Sequence, residues 1–233
     1  MKKELAIFLL LVALCAVVTA LNPRFLSPAN LQNTARLIGA FGIFSLGLGL
    51  VIITGGIDLS IGSVIGCSAI LFGVLMGNGV HPYAAVPLTV LFGGVIGLAN
   101  GLLVTRLKLQ PFLVTLCGMF IIRGIGRILV QDEPFFGKVG FRNTYEAIPA
   151  FEAPLRTLRY LLIGKSPEDG ALLFPAQFVL LLALAAVVGF FLHRTAYGRY
   201  WYAIGHSELA AKYAGVNVDR HRVVVYVACS ALA

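Results

Sequence analysis

Charged residues make up only 12% of this chain and acidic ones are rarer still, ten against eighteen basic. Soluble domains carry about 25% charged residues, so the shortage excludes both a disordered chain and an ordinary water-soluble globule. Cysteine is scarce too. Cys15, Cys67, Cys117 and Cys229 all fall inside apolar stretches without a CxxC pair, which points to neither a zinc site nor a disulfide framework. There is no P-loop, no HExxH and no GxSxG, and the four histidines are scattered; His81, His193, His206 and His221 read as interfacial polar residues. The sequence therefore names no catalytic residue and no metal ligand, and no enzyme constellation.

What is abundant is apolar: 59% of the 233 residues are hydrophobic and the mean hydropathy is +0.91, more apolar surface than one soluble core can hide. Lipid must be the solvent for much of it. The formal charge of +8 would suggest nucleic acid in a soluble chain, but here basic loops beside an anionic leaflet account for it, and no nucleic-acid partner is expected.

A bilayer core of about 30 Å needs about 20 apolar residues in a helix. Such runs occur at 5–21, 37–57, 60–77, 83–104, 112–130 and 174–192, and residues 223–233 begin another. The expected architecture is all-α: a polytopic transmembrane helix bundle of six spans plus the start of a seventh, forming one domain over 1–233. The last run is about 16 Å long with nothing polar to stop it, so the chain reads as cut short within a seventh span. Lys and Arg favour the cytoplasmic side. Lys2 and Lys3, the 105–110 loop and the 193–222 loop fall on one side, which makes the N-terminus cytoplasmic and places 131–174 outside. A competing reading takes the first run, ending Val18-Thr19-Ala20, as a cleavable signal peptide.

Four places stand out within this frame. Glycines recur every fourth residue at Gly93, Gly97 and Gly101, and Ala69, Gly73 and Gly77 repeat the spacing; each set smooths one helix face, either for close packing or for helices that slide. Gly55, Gly56, Asp58 and Ser60 place two glycines and a lone carboxylate between apolar runs. This is either a turn in which Asp58 or Ser60 caps the next helix, or irregular backbone lining a transport path. Asn100, a lone amide in an apolar run, joins these as a path candidate. Arg123 and Arg127 share one face of the fifth run; Arg127 can snorkel, whereas Arg123, about 10.5 Å below the outer end, should face the bundle interior or an aqueous path, in an ion pair or against substrate. Finally, Ser207 can cap a short helix, Glu208 suits its first turn and Gly215 its left-handed stop, with Gly205 ahead of it. Ala210 and Ala211 would give that helix a small-residue surface for a partner, or let it rest on lipid.

The run GLVIITGGIDLSIGSVIG at 49–66, PFLVTLCGMFIIRGIG at 111–126 and GRYWYAIGHSELAAKYAGV at 198–216 resemble, in this order, the ribose-type sugar permeases of bacterial ABC importers, with the galactofuranose-type branch the nearest. The resemblance implies about ten spans in the bacterial inner membrane and a path for a monosaccharide. It implies three partners: a cytoplasmic ATP-binding subunit, a periplasmic sugar-binding protein and a second permease subunit. This chain itself would bind no cofactor, ATP and Mg residing on the partner ATPase. It also makes 205–216 the coupling helix within the 193–222 loop, with Gly205, Ser207, Glu208, Ala210, Ala211 and Gly215 at the ATPase. A secondary transporter driven by protons or sodium is the rival reading, for which only Asp58 is suited.

Overall fold

The computed structural model describes residues 2–131, 154, 157 and 175–233. Nearly all of the 131–174 segment expected outside the membrane lies beyond them. The described residues form helices joined by short turns: α1 (Lys2–Leu21), α2 (Pro28–Ile53), α3 (Ile61–Gly77), α4 (Pro82–Thr105), α5 (Pro111–Gln131), α6 (Ala176–Arg194), α7 (Ala196–His206), α8 (Glu208–Tyr213) and α9 (Val218–Ala231), with a 3-10 turn at Pro23–Leu26. Five of these, α1, α2, α4, α5 and α6, are long and apolar enough to cross a bilayer, and α3 is a shorter apolar helix.

Helix ends follow local chemistry more than the apolar runs. α2 starts at Pro28, well before the expected 37, because Ser27 caps it by accepting a hydrogen bond from the Asn30 amide (3.3 Å) and Pro28 is preset for a first helical position. It stops at Ile53 because Gly55 takes a left-handed φ of 74°, so Thr54 to Ser60 are not helical as the apolar run had suggested. The 193–222 segment is not a loop. It contains α7, α8 and the first turn of α9, whose charged residues Asp219, Arg220 and Arg222 are carried on a helix capped by Asn217.

α9 is the centre of the packing. Val225 and Cys229 are fully buried and Tyr226 nearly so. The glycine stripe of α4 is the reason the two helices approach so closely. A Cβ on Gly93 would meet the Ser230 carbonyl, one on Gly97 the Tyr226 carbonyl, and one on Gly101 the Val223 Cα at 2.9 Å. Gly47 of α2 brings a second helix to the same axis, with Cys229 Cα 3.0 Å from where its Cβ would stand. The second expected stripe does not pack in this way: Gly73 is buried, but Ala69 and Gly77 are exposed. On the other flank α6 lies along α2, where Gly39 abuts the Gln177 backbone and Gly42 the Leu181 side chain. None of α1's apolar span is buried, and its one substantial contact is with the 3-10 turn.

Candidate functional site

The turn between α2 and α3 sits at depth. Asn100, whose amide reaches it, stands five residues before the end of α4, about 7.5 Å up that helix, and Gly118, packed on Asn100, is about 10 Å along α5. α3 begins beside them rather than at the level of the helix ends. Its 17 residues rise only about 25 Å, short of the roughly 30 Å of a bilayer core. Irregular backbone at such depth is tolerated where protein covers it or where it lines a wet cavity. Here Thr54, Asp58 and Ser60 are buried by the neighbouring helices, while Gly55, Ile57 and Leu59 remain exposed. Tyr226 of α9 donates its hydroxyl to the Ile57 carbonyl (3.1 Å), and Gly56 leaves room for the ring, with the hydroxyl 3.1 Å from where a Cβ would be.

Within this turn three predicted residues meet. Asp58 Oδ1 accepts from the Ser60 amide (2.8 Å) and from Ser60 Oγ (2.6 Å), and Ser60 Oγ in turn accepts from Asn100 Nδ2 (3.0 Å). Ser60 opens α3, but its own hydroxyl does not cap the helix; the Asp58 carboxylate supplies the nearest acceptor, where the helix dipole favours negative charge. All three side chains are buried, Asp58 to 3% exposure. Asp58 Oδ2 takes no hydrogen bond, and the Cys229 thiol stands beside the carboxylate. The chain of bonds ties the α2–α3 turn to α4.

Arg123 is not part of that cluster. With Arg127 it lies exposed along an open groove of about 470 Å³ between α3 and α5, together with Ser63, Cys67 and Gly126, and it does not point into the interior. Of the two readings for Arg123, the ion pair is not made within the described residues, among which neither arginine has a salt bridge or hydrogen bond.

The third motif forms two helices. Ser207 ends α7 and caps α8, accepting from the Ala210 amide (3.2 Å), and Gly215 takes the left-handed φ of 82° that ends the segment. Glu208 bridges Lys212 (2.6 Å) and Arg222 of α9 (2.9 Å), and these cations, Lys212 foremost, hold its carboxyl below the usual range. Ala211 departs from the expected exposed pair: it is 3% exposed and packs into the core, while Leu209, Ala210 and Tyr213 form the open face. The position one turn after Ser207 looks back at the bundle.

Gly205 connects the two motifs. A Cβ there would strike the Ile53 carbonyl, and the Gly205 Cα is 3.9 Å from where a Gly55 Cβ would stand, so α7 rests directly on the turn that carries Asp58. Sequence reasoning missed Tyr226, Gly118 and His221. His221 accepts from Trp201 Nε1 (3.2 Å) and packs edge-on against Tyr197 and Tyr200, joining α7 to α9. An aromatic set at Tyr197, Tyr200 and Trp201 in a basic segment was the available signal.

Long apolar helices packed around a buried polar cluster, with a small helical module at one end, define a polytopic helical membrane protein. Residues 30–233 match the branched-chain amino acid transport system / permease component family, and the chain belongs to it. It is similar to the ribose import permease of Bacillus subtilis, 32% identical over 96% of this chain and 64% of that protein. The autoinducer 2 import system permease of an Enterobacter species is 34% identical over 96% of this chain and 64% of its own length. An inner membrane ABC transporter permease of Escherichia coli is 32% identical over 91% and 59%. The chain thus spans a little under two thirds of these relatives. No solved structure matches it.

Proposed function

We propose that this chain is a membrane-spanning permease subunit of an ATP-driven importer in the bacterial inner membrane, forming the path for a monosaccharide handed over by a periplasmic binding protein. ATP is hydrolysed on a separate cytoplasmic subunit, and a second permease subunit, identical or related, completes the path. The observation that carries this reading is the backbone contact of Gly205 with the Ile53–Gly55 turn. A partner that pushes on the open face of α8 moves α7, and α7 bears on the turn whose Asp58–Ser60–Asn100 bonds tie it to α4. Differential contacts made by the partner in its two nucleotide states then bias the closed and open arrangements.

The relatives' names support a small sugar or sugar-like cargo, and the galactofuranose branch rests on the resemblance of the motifs alone. An ion-coupled carrier would place several carboxylates along its path; among the described residues Asp58 is the one buried carboxylate, and it is closed off by Ser60 and Asn100. The test is uptake of labelled sugar in cells that express the chain together with a candidate ATPase and a candidate binding protein. Uptake should vanish with an ATPase-dead partner and survive collapse of the ion gradients while ATP is maintained. Uptake that follows the gradients instead would overturn the proposal.

A further inference from the structure

Two guanidinium groups that find no ion-pair or hydrogen-bond partner among the described residues are costly in lipid. Arg127 is about 4.5 Å and Arg123 about 10.5 Å below Val130 near the outer end of α5 by helical rise. The first could reach a headgroup by snorkelling, but the second is too deep for a lipid phosphate at the surface, and a charge at that depth belongs to a wet cavity or a protein contact. The groove has room for the wet cavity. Its 470 Å³ falls within the range of about 300–1,000 Å³ typical of small-molecule sites. Gly62 and Gly66 of α3 leave its wall open, a Cβ on either meeting nothing within 4 Å, while Gly126 closes it against Ile70 and Cys67.

Ser63 adds a second polar contact. Its side chain lines the groove, is 6% exposed, and its Oγ has no hydrogen-bond partner. It stands one turn along α3 from Ser60, so the groove lies directly outward of the closed Asp58–Ser60–Asn100 cluster. Among the described residues nothing in the groove offsets the arginines. The carboxylates among the described residues are Glu4, Asp58, Glu208 and Asp219, and none of them lines it.

We propose that the α3/α5 groove is an outward antechamber that binds a monosaccharide carrying an anionic group, Arg123 and Arg127 holding that group and Ser63 a sugar hydroxyl. A neutral sugar needs hydrogen-bond donors and acceptors but no pair of fixed cations, whereas guanidinium matches a carboxylate or a phosphate in charge and in geometry. The inference rests on the permease reading and narrows its cargo to sugar acids or sugar phosphates.

The test uses the whole chain in sealed, right-side-out vesicles, with the four native cysteines replaced by serine and Gly66→Cys as the reporter. A small anionic thiosulfonate should modify that cysteine faster than its cationic counterpart by about tenfold relative to a free thiol, as expected for two nearby positive charges. Arg123→Gln with Arg127→Gln should erase the preference, and Arg→Lys at both positions should keep it, which separates charge from misfolding. Galacturonate or glucose 6-phosphate should protect the cysteine, the effective one revealing whether carboxylate or phosphate is the group held, and galactose should not. Equal rates for the two reagents, protection by galactose as strong as by the anions, or protection by neither anion would each overturn the proposal. Binding-protein-dependent uptake is read separately, so a neutral-sugar importer would sink this inference alone and an ATP-independent one the permease reading.

Discussion

The Cα of Gly205 lies so close to the Ile53 carbonyl oxygen that no side chain fits between α7 and the end of α2. A methyl group there must push one helix away from the other. Gly205→Ala should therefore separate the inner-loop module from the closed turn, with a cost of about 1–3 kcal/mol for overpacking against backbone. Uptake should fall by an order of magnitude or more while the protein still reaches the membrane, checked by transport assay beside membrane-fraction immunoblot. Gly49→Ala, where a Cβ meets nothing within 4 Å, is the matched control and should be silent.

The same geometry governs the α4–α9 seam. Gly97→Ala should lower the thermal midpoint of the detergent-solubilised protein, by an amount corresponding to roughly 1–3 kcal/mol, because its methyl would overlap the Tyr226 carbonyl and neither backbone can give way cheaply. Gly94→Ala, facing only Val227 Cγ1 at 3.9 Å, should leave the midpoint unchanged in fluorescence-detected size-exclusion melts.

Ser60→Ala removes the atom through which Asp58 and Asn100 are joined. It should leave the Asn100 amide and part of the Asp58 carboxylate unsatisfied in a buried site, a loss of about 1–3 kcal/mol. Pairing it with Asn100→Leu should recover part of that loss, since an apolar side chain leaves no stranded donor. Additive losses in the double variant, measured by the same melts, would show that the two residues are not coupled.

Glu208 gives the inner module a pH dependence. Its carboxyl is held below the usual value of 4.5, first by the Lys212 hydrogen bond and then by Arg222, with burial opposing them. A depressed folded-state pKa means the stabilisation is complete above the unfolded value and drains away as pH falls through the folded one. The protection factors of residues 207–216, exchange rates corrected for their intrinsic pH dependence, should stay constant from neutral pH down to about 5 and fall below 4.5. Glu208→Gln should remove the step, and the effect should be small because the pair is partly exposed.

Topology can be read with single cysteines in a cysteine-free background. A residue placed at Asn78, in the exposed turn after α3, should react with an impermeant maleimide from outside, and one at Ala214, exposed after α8, should react only after permeabilisation. The reverse pattern would invert the orientation inferred from the basic loops.

The spans were legible because a bilayer filters for runs of about 20 apolar residues, and α1, α4, α5 and α6 were located to within a few residues. The glycine stripe of α4 was legible as well, close packing being one of its two readings and the one met against α9, whereas the same spacing at Ala69, Gly73 and Gly77 packs nothing comparable. Helix ends were harder: the polar first turns of α2 and α9 read as loop because hydropathy cannot distinguish a helix in water from a coil. Of the candidate site, Asp58, Ser60 and Asn100 were named as separate candidates, but their joining depends on α3 starting deep, and that follows from contacts with α4 and α5 rather than from any local pattern. Ala211 was misplaced for a related reason. On a six-residue helix, composition does not reveal which side meets the bundle.

The α4–α9 seam also constrains biosynthesis. The glycines at 93, 97 and 101 leave the translation machinery more than a hundred residues before the backbone that fills them, so the early bundle enters the bilayer with a bare trough down one side of α4. Contacts of such sequence separation form late and slowly. Until α9 arrives, lipid or the insertion machinery must occupy the trough, and α9 closes the seam by displacing that temporary tenant.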